Sequence, residues 1–545
     1  MKNKKCAGAF ALALTLAATC AVGSDGSSDI GADRIREHVA FLADDSLEGR
    51  ATGSRGHEIA AAYVASQFAA YGLKPMGDRG GWYQAVQLLE SSAAIAAATA
   101  RLERDGVSTE LVSATDFLPR AGFTAGDISV AGPLTFVGFA VHAPDLNYDD
   151  FAGVDLKGRV AVMLSGAPAG FPVDRRAYYS SGAVKASELA ARGAIGVITI
   201  GAPIEDQAPT WERRLALSWI PAMRWIDENG NPVDAFASIR GSLLFSPQGT
   251  AKLFQGAAHT LEEVFALALQ SKPQAFELPG TISFAVKSVL TRRASMNVVA
   301  LLEGRDAQLK GEYLVLSAHL DHLGMNPARD GDTIFNGALD NASGVAMLLE
   351  SARVLAARAS RMRRSVLFVA FTGEEKGLLG SEYFLHAPPV PRAGIVGDIN
   401  IDMPTALTEF ADLVAIGSGH SSLGLAAIKA VLKESLDLAP DPWPEEVRFV
   451  RSDQYSFVRS GIPAVLIDVG TRATHSDIDG YALIDNFRHH RYHQPGDDLS
   501  QSIDYRFLAK LTRVNVHMAF EIANARQRPQ WNAGDFFAEK FRNAR

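Results

Sequence analysis

Between Tyr313 and Gly344 the chain reads YLVLSAHLDHLG, a polar stretch, then NGALDNASG, and this order constrains the fold more than any other segment. Tyr313 to Ala318 is a short apolar run with the length and composition of a buried strand. It delivers His319, Asp321 and His322 to the place where that strand would end. Asp340-Asn-Ala-Ser-Gly then opens a helical pattern, with Val345, Leu348, Leu349, Ala352, Leu355 and Ala356 on one face. A histidine at a strand end and an aspartate at a helix start suit an open α/β sheet, where sites gather beyond the carboxyl ends of strands. His-x-Asp also sets a metal ligand beside a carboxylate placed to orient its imidazole. The same letters read equally as a solvated loop, and this stretch alone does not separate the two.

Further segments repeat the pattern. Val366-Leu-Phe-Val-Ala-Phe371 is apolar throughout, as a strand covered on both faces should be, and it ends in Thr-Gly-Glu374-Glu375. A helix is expected from about Ser381, the run Gly394 to Ile401 leads to Asp402, and Ile462 to Val469 reads as another buried strand. Tyr505 to Ala525 reads as an amphipathic helix carrying Phe507, Leu508, Leu511, Val514 and Met518 on one side. Nearer the start, helical patterns surround Ile35, Val39 and Leu42, and then Ile59 to Tyr71. Between them Leu47-Glu-Gly-Arg-Ala-Thr-Gly53 reads only as a loop. Strands and turns are expected from about Val86 to Phe117.

From about Leu118 to Val286 the text changes. Val137-Gly-Phe-Ala-Val, Gly158 to Leu164 and Ile195 to Ile200 read as strands, and Ala183 to Ala191 as a helix. Histidines and acids at ligand spacing are few in this segment, so it reads as an inserted domain without chemistry of its own.

Charge and leader bound the partners. Lys2, Lys4 and Lys5 precede an apolar run from Ala7 to Val22, the layout of a secretory signal over residues 1–23. Without those three lysines, 50 basic residues face 61 acidic ones, a net charge near −11 that argues against nucleic acid or anionic lipid as partner. No later run reaches the roughly 20 apolar residues of a membrane-spanning helix. Both cysteines, Cys6 and Cys20, lie in the leader, so a cleaved chain has neither disulfide nor thiolate ligand. Leu-Ala-Ala-Thr-Cys20 loosely resembles a lipoprotein cleavage box, which makes Cys20 a candidate lipid anchor; cleavage after Gly23 is the alternative.

His319, Asp340, Glu374 with Glu375, and Asp402 therefore share one grammar, and Arg491-Tyr492-His493-Gln-Pro-Gly-Asp-Asp supplies a further candidate. Two histidines with three carboxylates form an N/O donor set suited to zinc. A carboxylate can bridge two ions about 3.5–4 Å apart, and a neighbouring glutamate is then free to act as a base.

On these motifs the chain resembles the secreted co-catalytic zinc aminopeptidases, relatives of aminopeptidase Y and glutamate carboxypeptidase. The carriers, in family order, are SAHLDHLG, NGALDNASG, FTGEEKGLLGS, NIDM, RSDQYSFVRSGIPAV and YHQPGDD. FLADDSLEGRATGSRG is similar to the family's N-terminal signature, and GFAV, LKGRVAV and ARGAIGVI to a protease-associated domain. The resemblance implies an α/β three-layer sandwich with a mixed, mostly parallel central sheet and an inserted β-rich α/β protease-associated domain. It divides the chain into a leader at 1–23, catalytic parts at 30–117 and 287–525, the insert at 118–286, and a tail at 526–545. It also implies two zinc ions, with His319 and Asp402 one on each metal, Asp340 bridging, and Glu375 and His493 completing the shells. Glu374 would be the general base, Asp321 would hold His319, and Tyr492 would stabilise the oxyanion. Gln454 stands where histidine is usual and Pro404 where glycine is common.

Competitors for ligand roles are His322, read as structural or outer-shell, then His475 in His-Ser-Asp477, His489 and His490 beside His493, and His420 in a loop. The implied activity is hydrolysis of N-terminal peptide bonds of peptides or proteins in the periplasm or outside the cell. A carboxypeptidase, dipeptidase or other amidohydrolase uses the same chemistry, and a binding protein on a degenerate scaffold would have lost ligands. Gly419-His-Ser421-Ser-Leu423 lacks the second glycine of a serine-hydrolase elbow.

Overall fold

The computed structural model describes residues 30–203 and 210–542, so the leader with Cys6 and Cys20 lies outside the described residues. Two sheets share one 27-residue strand, Phe276–Leu302. Up to Lys287 that strand pairs with Asp127–Phe136 and Thr99–Arg104; from Ser288 onward it pairs with Tyr83–Ala93 and then Ser365–Phe371.

The first sheet runs, in spatial order, Asp437–Ala439, Asp412–Ile416, Ala464–Val469, Ile395–Asn400, Tyr313–His319, Ser365–Phe371, Phe276–Leu302, Tyr83–Ala93 and Ala222–Trp225. From Ala464–Val469 to Ser365–Phe371 the strands are parallel, with antiparallel neighbours on both flanks. Parallel strands need cover on both faces, which explains why every residue of Ser365–Phe371 is buried and its text does not alternate. Helices Ala32–Leu42, Arg55–Ala70, Gly344–Ala357, Leu423–Lys433 and Tyr505–Asn524 pack on one face. Leu379–His386, Gln454–Arg459 and Phe536–Lys540 pack on the other. This is the expected mixed, mostly parallel three-layer sandwich.

The second sheet has its own core and runs Val107–Leu111, Thr99–Arg104, Phe276–Leu302, Asp127–Phe136, Val160–Leu164, Gly196–Ile200, Gly241–Phe245 and Phe117–Arg120. It begins at Thr99, ahead of the expected 118, and ends where the shared strand changes sheet. The tie between the bodies is reinforced by Ala222–Trp225, which leaves the second body to pair with Tyr83–Ala93 of the first sheet.

Two further segments depart from expectation. Val137 to Val141 is not a strand but a buried turn, because the chain wraps around the Asp150 carboxylate, which accepts from Phe139 N at 2.9 Å and Val141 N at 3.2 Å. Gly138 has φ +47° there, and a Cβ on it would lie 2.2 Å from Asp150 Oδ1. The first body does not stop at the expected 525: Phe536 and Phe537, in the segment read as a tail, are buried in its core. Among the described residues no helix is long and apolar enough to cross a membrane.

Candidate metal centre

The parallel strands bring most of the candidate residues to one edge. His319 is the last residue of Tyr313–His319, Asp402 follows Ile395–Asn400, and Glu374 and Glu375 follow Ser365–Phe371. Asp340 lies in an irregular helical turn, Ala338–Ser343, that leads into Gly344–Ala357. His493 arrives from the opposite end of the domain's text, in the loop after Gly480–His490, with φ 54°.

The contacts divide around Asp340. Its Oδ1 lies 3.3 Å from His319 Nε2, which is 3.0 Å from Asp402 Oδ1. Its Oδ2 lies 3.2 Å from His493 Nε2, which is 3.1 Å from Glu375 Oε2. One carboxylate thus faces two separate groups of donors, one oxygen toward each. His319 and Asp402 fall in the same group, not one in each as expected, because Tyr313–His319 and Ile395–Asn400 are paired neighbours in the sheet. Glu374 and Tyr492 share a cavity of about 1430 Å³ with Asp340, Glu375, Asp402 and His493. The Tyr492 ring stacks on His493 with centroids 3.9 Å apart.

Backbone donors and acceptors fix these side chains. The Asp497 carboxylate accepts from Leu339 N and Asp340 N, both at 3.0 Å. Asn341 joins the Asp340 and Asp402 loops: its Nδ2 donates to Ile401 O at 2.9 Å, and its Oδ1 accepts from Met403 N at 3.1 Å and Gly344 N at 3.0 Å. A Cβ on Gly344 would come within 2.1 Å of that Oδ1, so only glycine fits the helix start. The buried guanidinium of Arg50 donates to Leu320 O at 3.0 Å, Asn336 O at 2.7 Å, Gly337 O at 3.1 Å and also Leu42 O, clamping the loops on either side of the centre.

Asp321 works differently from expectation. His319 Nδ1 meets the Asp321 backbone carbonyl at 3.0 Å, whereas the carboxylate oxygen is 4.0 Å away. That carboxylate instead accepts from Thr52 Oγ1 at 2.8 Å and from Glu374 N at 3.1 Å, so it sets the backbone of the adjacent glutamates. A carbonyl can only accept; His319 Nδ1 therefore carries a proton, and in the neutral ring Nε2 turns a lone pair toward the acids.

His322 is fully buried and closer to the centre than expected, with Nδ1 2.7 Å from Glu375 Oε1 and 3.8 Å from Asp340 Oδ2. Among the described residues, both His322 nitrogens and Glu375 Oε1 make no hydrogen bond. The other competitors fall away. His475, His489 and His490 are exposed, and His420 meets Asp535 Oδ2 at 2.6 Å and stacks on Phe449. Gln454, where histidine was usual, accepts from Asn400 Nδ2 at 2.7 Å and donates to Phe449 O at 3.1 Å, a structural tie behind the centre.

Charge balance reflects the crowding. Burial pushes the Glu374 carboxyl well up, and Asp402, Glu375 and Asp453 push it further, against the pull of His319. Burial alone would lower His319 and raise Asp340; the facing carboxylates instead hold His319 well above its ordinary value, and the histidines hold Asp340 well below its own. Convergent carboxylates and imidazoles, with polar atoms left without hydrogen bonds at the point of convergence, fit a divalent cation. Within this cluster His319, Asp340 and Asp402 form one group that could hold an ion, and His322, Asp340 and Glu375 another.

An α/β sandwich with N/O donors beyond its parallel strands defines a class of metal-site proteins. Residues 297–519 match the family model of Peptidase family M28. It is 28% identical over 277 residues to a probable zinc metalloprotease of Pyricularia oryzae, covering 45% of this chain and 51% of that protein. It is 27% identical over 234 residues to a probable leucine aminopeptidase 2 of Aspergillus fumigatus, covering 40% and 43%. The chain thus spans about half the length of these curated relatives. Its fold matches the solved aminopeptidase from Aneurinibacillus sp. strain AM-1, with a TM-score of 0.52 at 20% identity over 92% of this chain and 95% of that one.

Proposed function

We propose that the chain is an exported zinc aminopeptidase that binds two ions and removes N-terminal residues from peptides or proteins. The observation that carries this reading is Asp340, whose two carboxylate oxygens face separate imidazole–carboxylate groups. His319, Asp340 and Asp402 would hold one ion, and Asp340, Glu375 and His493 the other. Bound zinc supplies Lewis acidity toward a carbonyl oxygen and toward water.

The remaining chemistry belongs to the chain. Glu374 takes a proton from the attacking water at its carboxylate and passes it to the departing amine, within the range in which a positioned base is effective. Asp321 aims it through the hydrogen bond to Glu374 N. The Tyr492 hydroxyl donates to the oxygen of the tetrahedral intermediate, where negative charge develops. The second sheet is read as a protease-associated domain that walls the cavity and excludes bulky substrates: Arg176 and Arg213 line it from that side.

Metal content and substrate panels test this together. Purified protein should carry close to two zinc ions per chain, hydrolyse aminoacyl substrates but not their N-blocked counterparts, lose activity on chelation and regain it with zinc. Full activity in metal-free protein overturns the reading, and equal turnover of blocked substrates removes the aminopeptidase assignment.

A further inference from the structure

Tyr492 and His493 sit on a corner that their own domain does not fully support. The helix Gly480–His490 ends immediately before them, and His493 holds φ 54°, a conformation that a non-glycine residue keeps only when its surroundings impose it. The last carbonyls of any helix lack partners within the helix. Here Phe487 O is taken by Arg491 N at 2.8 Å and Tyr492 N at 2.9 Å. The next carbonyls are taken from across the cavity. Arg213 Nη1 donates to Arg488 O at 3.2 Å and to His489 O at 3.3 Å, and its Nη2 donates to Tyr492 O. The same guanidinium carbon lies 5.9 Å from the Tyr492 ring centroid.

Arg213 is itself rooted in the other body. It lies on the short helix Trp211–Ala216, whose start is capped by Thr210 Oγ1 accepting from Arg213 N at 3.3 Å. Trp211 Nε1 donates to Ala114 O at 3.0 Å, which pins that helix to the loop ahead of Phe117–Arg120. A planar, permanently charged fork can reach three carbonyls at once, and a cation is favoured at a helix C-terminus.

We infer that Arg213 is a positioning residue for the Tyr492–His493 corner, so that the second body completes the centre rather than merely bounding it. Its catalytic consequence rests on the aminopeptidase reading above, whereas its effect on the corner does not. Removing Arg213 releases the Arg488, His489 and Tyr492 carbonyls together, and the tyrosine hydroxyl and the His493 imidazole lose their shared register.

The experiment uses the full-length protein with Arg213→Ala and Arg213→Lys. In chelated protein, amide hydrogen exchange at Arg491 and Tyr492 should be at least about tenfold faster in Arg213→Ala, with Tyr313–His319 and Val160–Leu164 unchanged. Turnover of an aminoacyl anilide should fall about 10–100-fold in kcat with KM within about twofold, the cost of a small misplacement. Free guanidinium at non-denaturing concentration should recover part of kcat in Arg213→Ala. Arg213→Lys, which keeps the charge but not the fork, should lie between, and it carries the test if Arg213→Ala does not fold. Unchanged exchange at the corner overturns the inference, as does a rise in KM at constant kcat, which would make Arg213 a substrate contact. If the wild-type protein proves inactive toward aminoacyl substrates, the function proposed above fails, and the exchange rates alone decide the role of Arg213.

Discussion

The two sheets share a strand and a strand text, yet their strand ends differ in what they leave unpaired. Val160–Leu164, Gly196–Ile200 and Gly241–Phe245 are parallel, apolar and mostly buried, like the central strands of the first sheet. Their ends, however, consume their own polar atoms. Ser165 Oγ accepts from Ala202 N at 3.2 Å, and Ser246 Oγ caps the following helix through Gly249 N at 2.9 Å. The contrast extends to buried carboxylates. Asp150 accepts from Phe139 N, Val141 N, Gln274 N and Tyr148 Oη at 2.9–3.2 Å, which satisfies it as a structural acceptor. Asp340 receives no such closure on its side chain and faces imidazoles with both oxygens. A parallel sheet offers an edge on which a site can be built; unspent lone pairs at that edge make it one.

The adjacent glutamates offer the largest effect with which to break this contrast. Glu375→Gln should weaken metal affinity by more than the about 10–100-fold that an outer hydrogen-bond partner is worth, with activity partly restored by excess zinc. Glu374→Gln keeps shape but cannot take the proton, so turnover should fall about 10²–10⁴-fold with near-normal metal content. Bound zinc and kcat measured on both variants decide the assignment, and loss of metal from Glu374→Gln alone would reverse it.

Asp497 tests whether backbone support of Asp340 matters to the centre. Asp497→Asn retains one acceptor but discards the charge that holds Leu339 N and Asp340 N. Metal affinity, measured by competition with a chelating dye, should fall about 10–100-fold. An unchanged affinity would mean that the strand ends position Asp340 without it.

The smallest effect should come from the other body. Asp150→Asn leaves buried donors short of an acceptor and should cost about 1–3 kcal/mol in stability. Thermal or denaturant unfolding reads that cost, while zinc content should not move. A loss of zinc in this variant would show that the second body is coupled to the centre more tightly than its separate core implies.

Much of the first body was legible because its signals are local. The strand Tyr313–His319 is the stretch identified from its apolar run, and the helix Tyr505–Asn524 has the face read from its periodicity. The strand ends likewise announced His319, Glu374, Glu375 and Asp402, because an apolar run stops at or just ahead of each of them. Local apolarity misled at Val137 to Val141, where burial is achieved by a turn around a carboxylate contributed from further along the chain.

Determined by the sequence alone, then, were the alternation of elements and the donor types at the strand ends, because periodicity and side-chain chemistry act over a few residues. The tertiary structure decided which donors meet. It drew His322 against Glu375, sent the Asp321 carboxylate to Thr52 and Glu374 N, and left His475, His489 and His490 exposed. It brought Asp497 to Leu339 N across 158 residues and Arg213 to Tyr492 O across 279. Hydrogen bonds and metal-ligand geometries depend on ångström-scale distances between such remote segments. Those distances are set only when two cores have closed and a shared strand has fixed one body against the other.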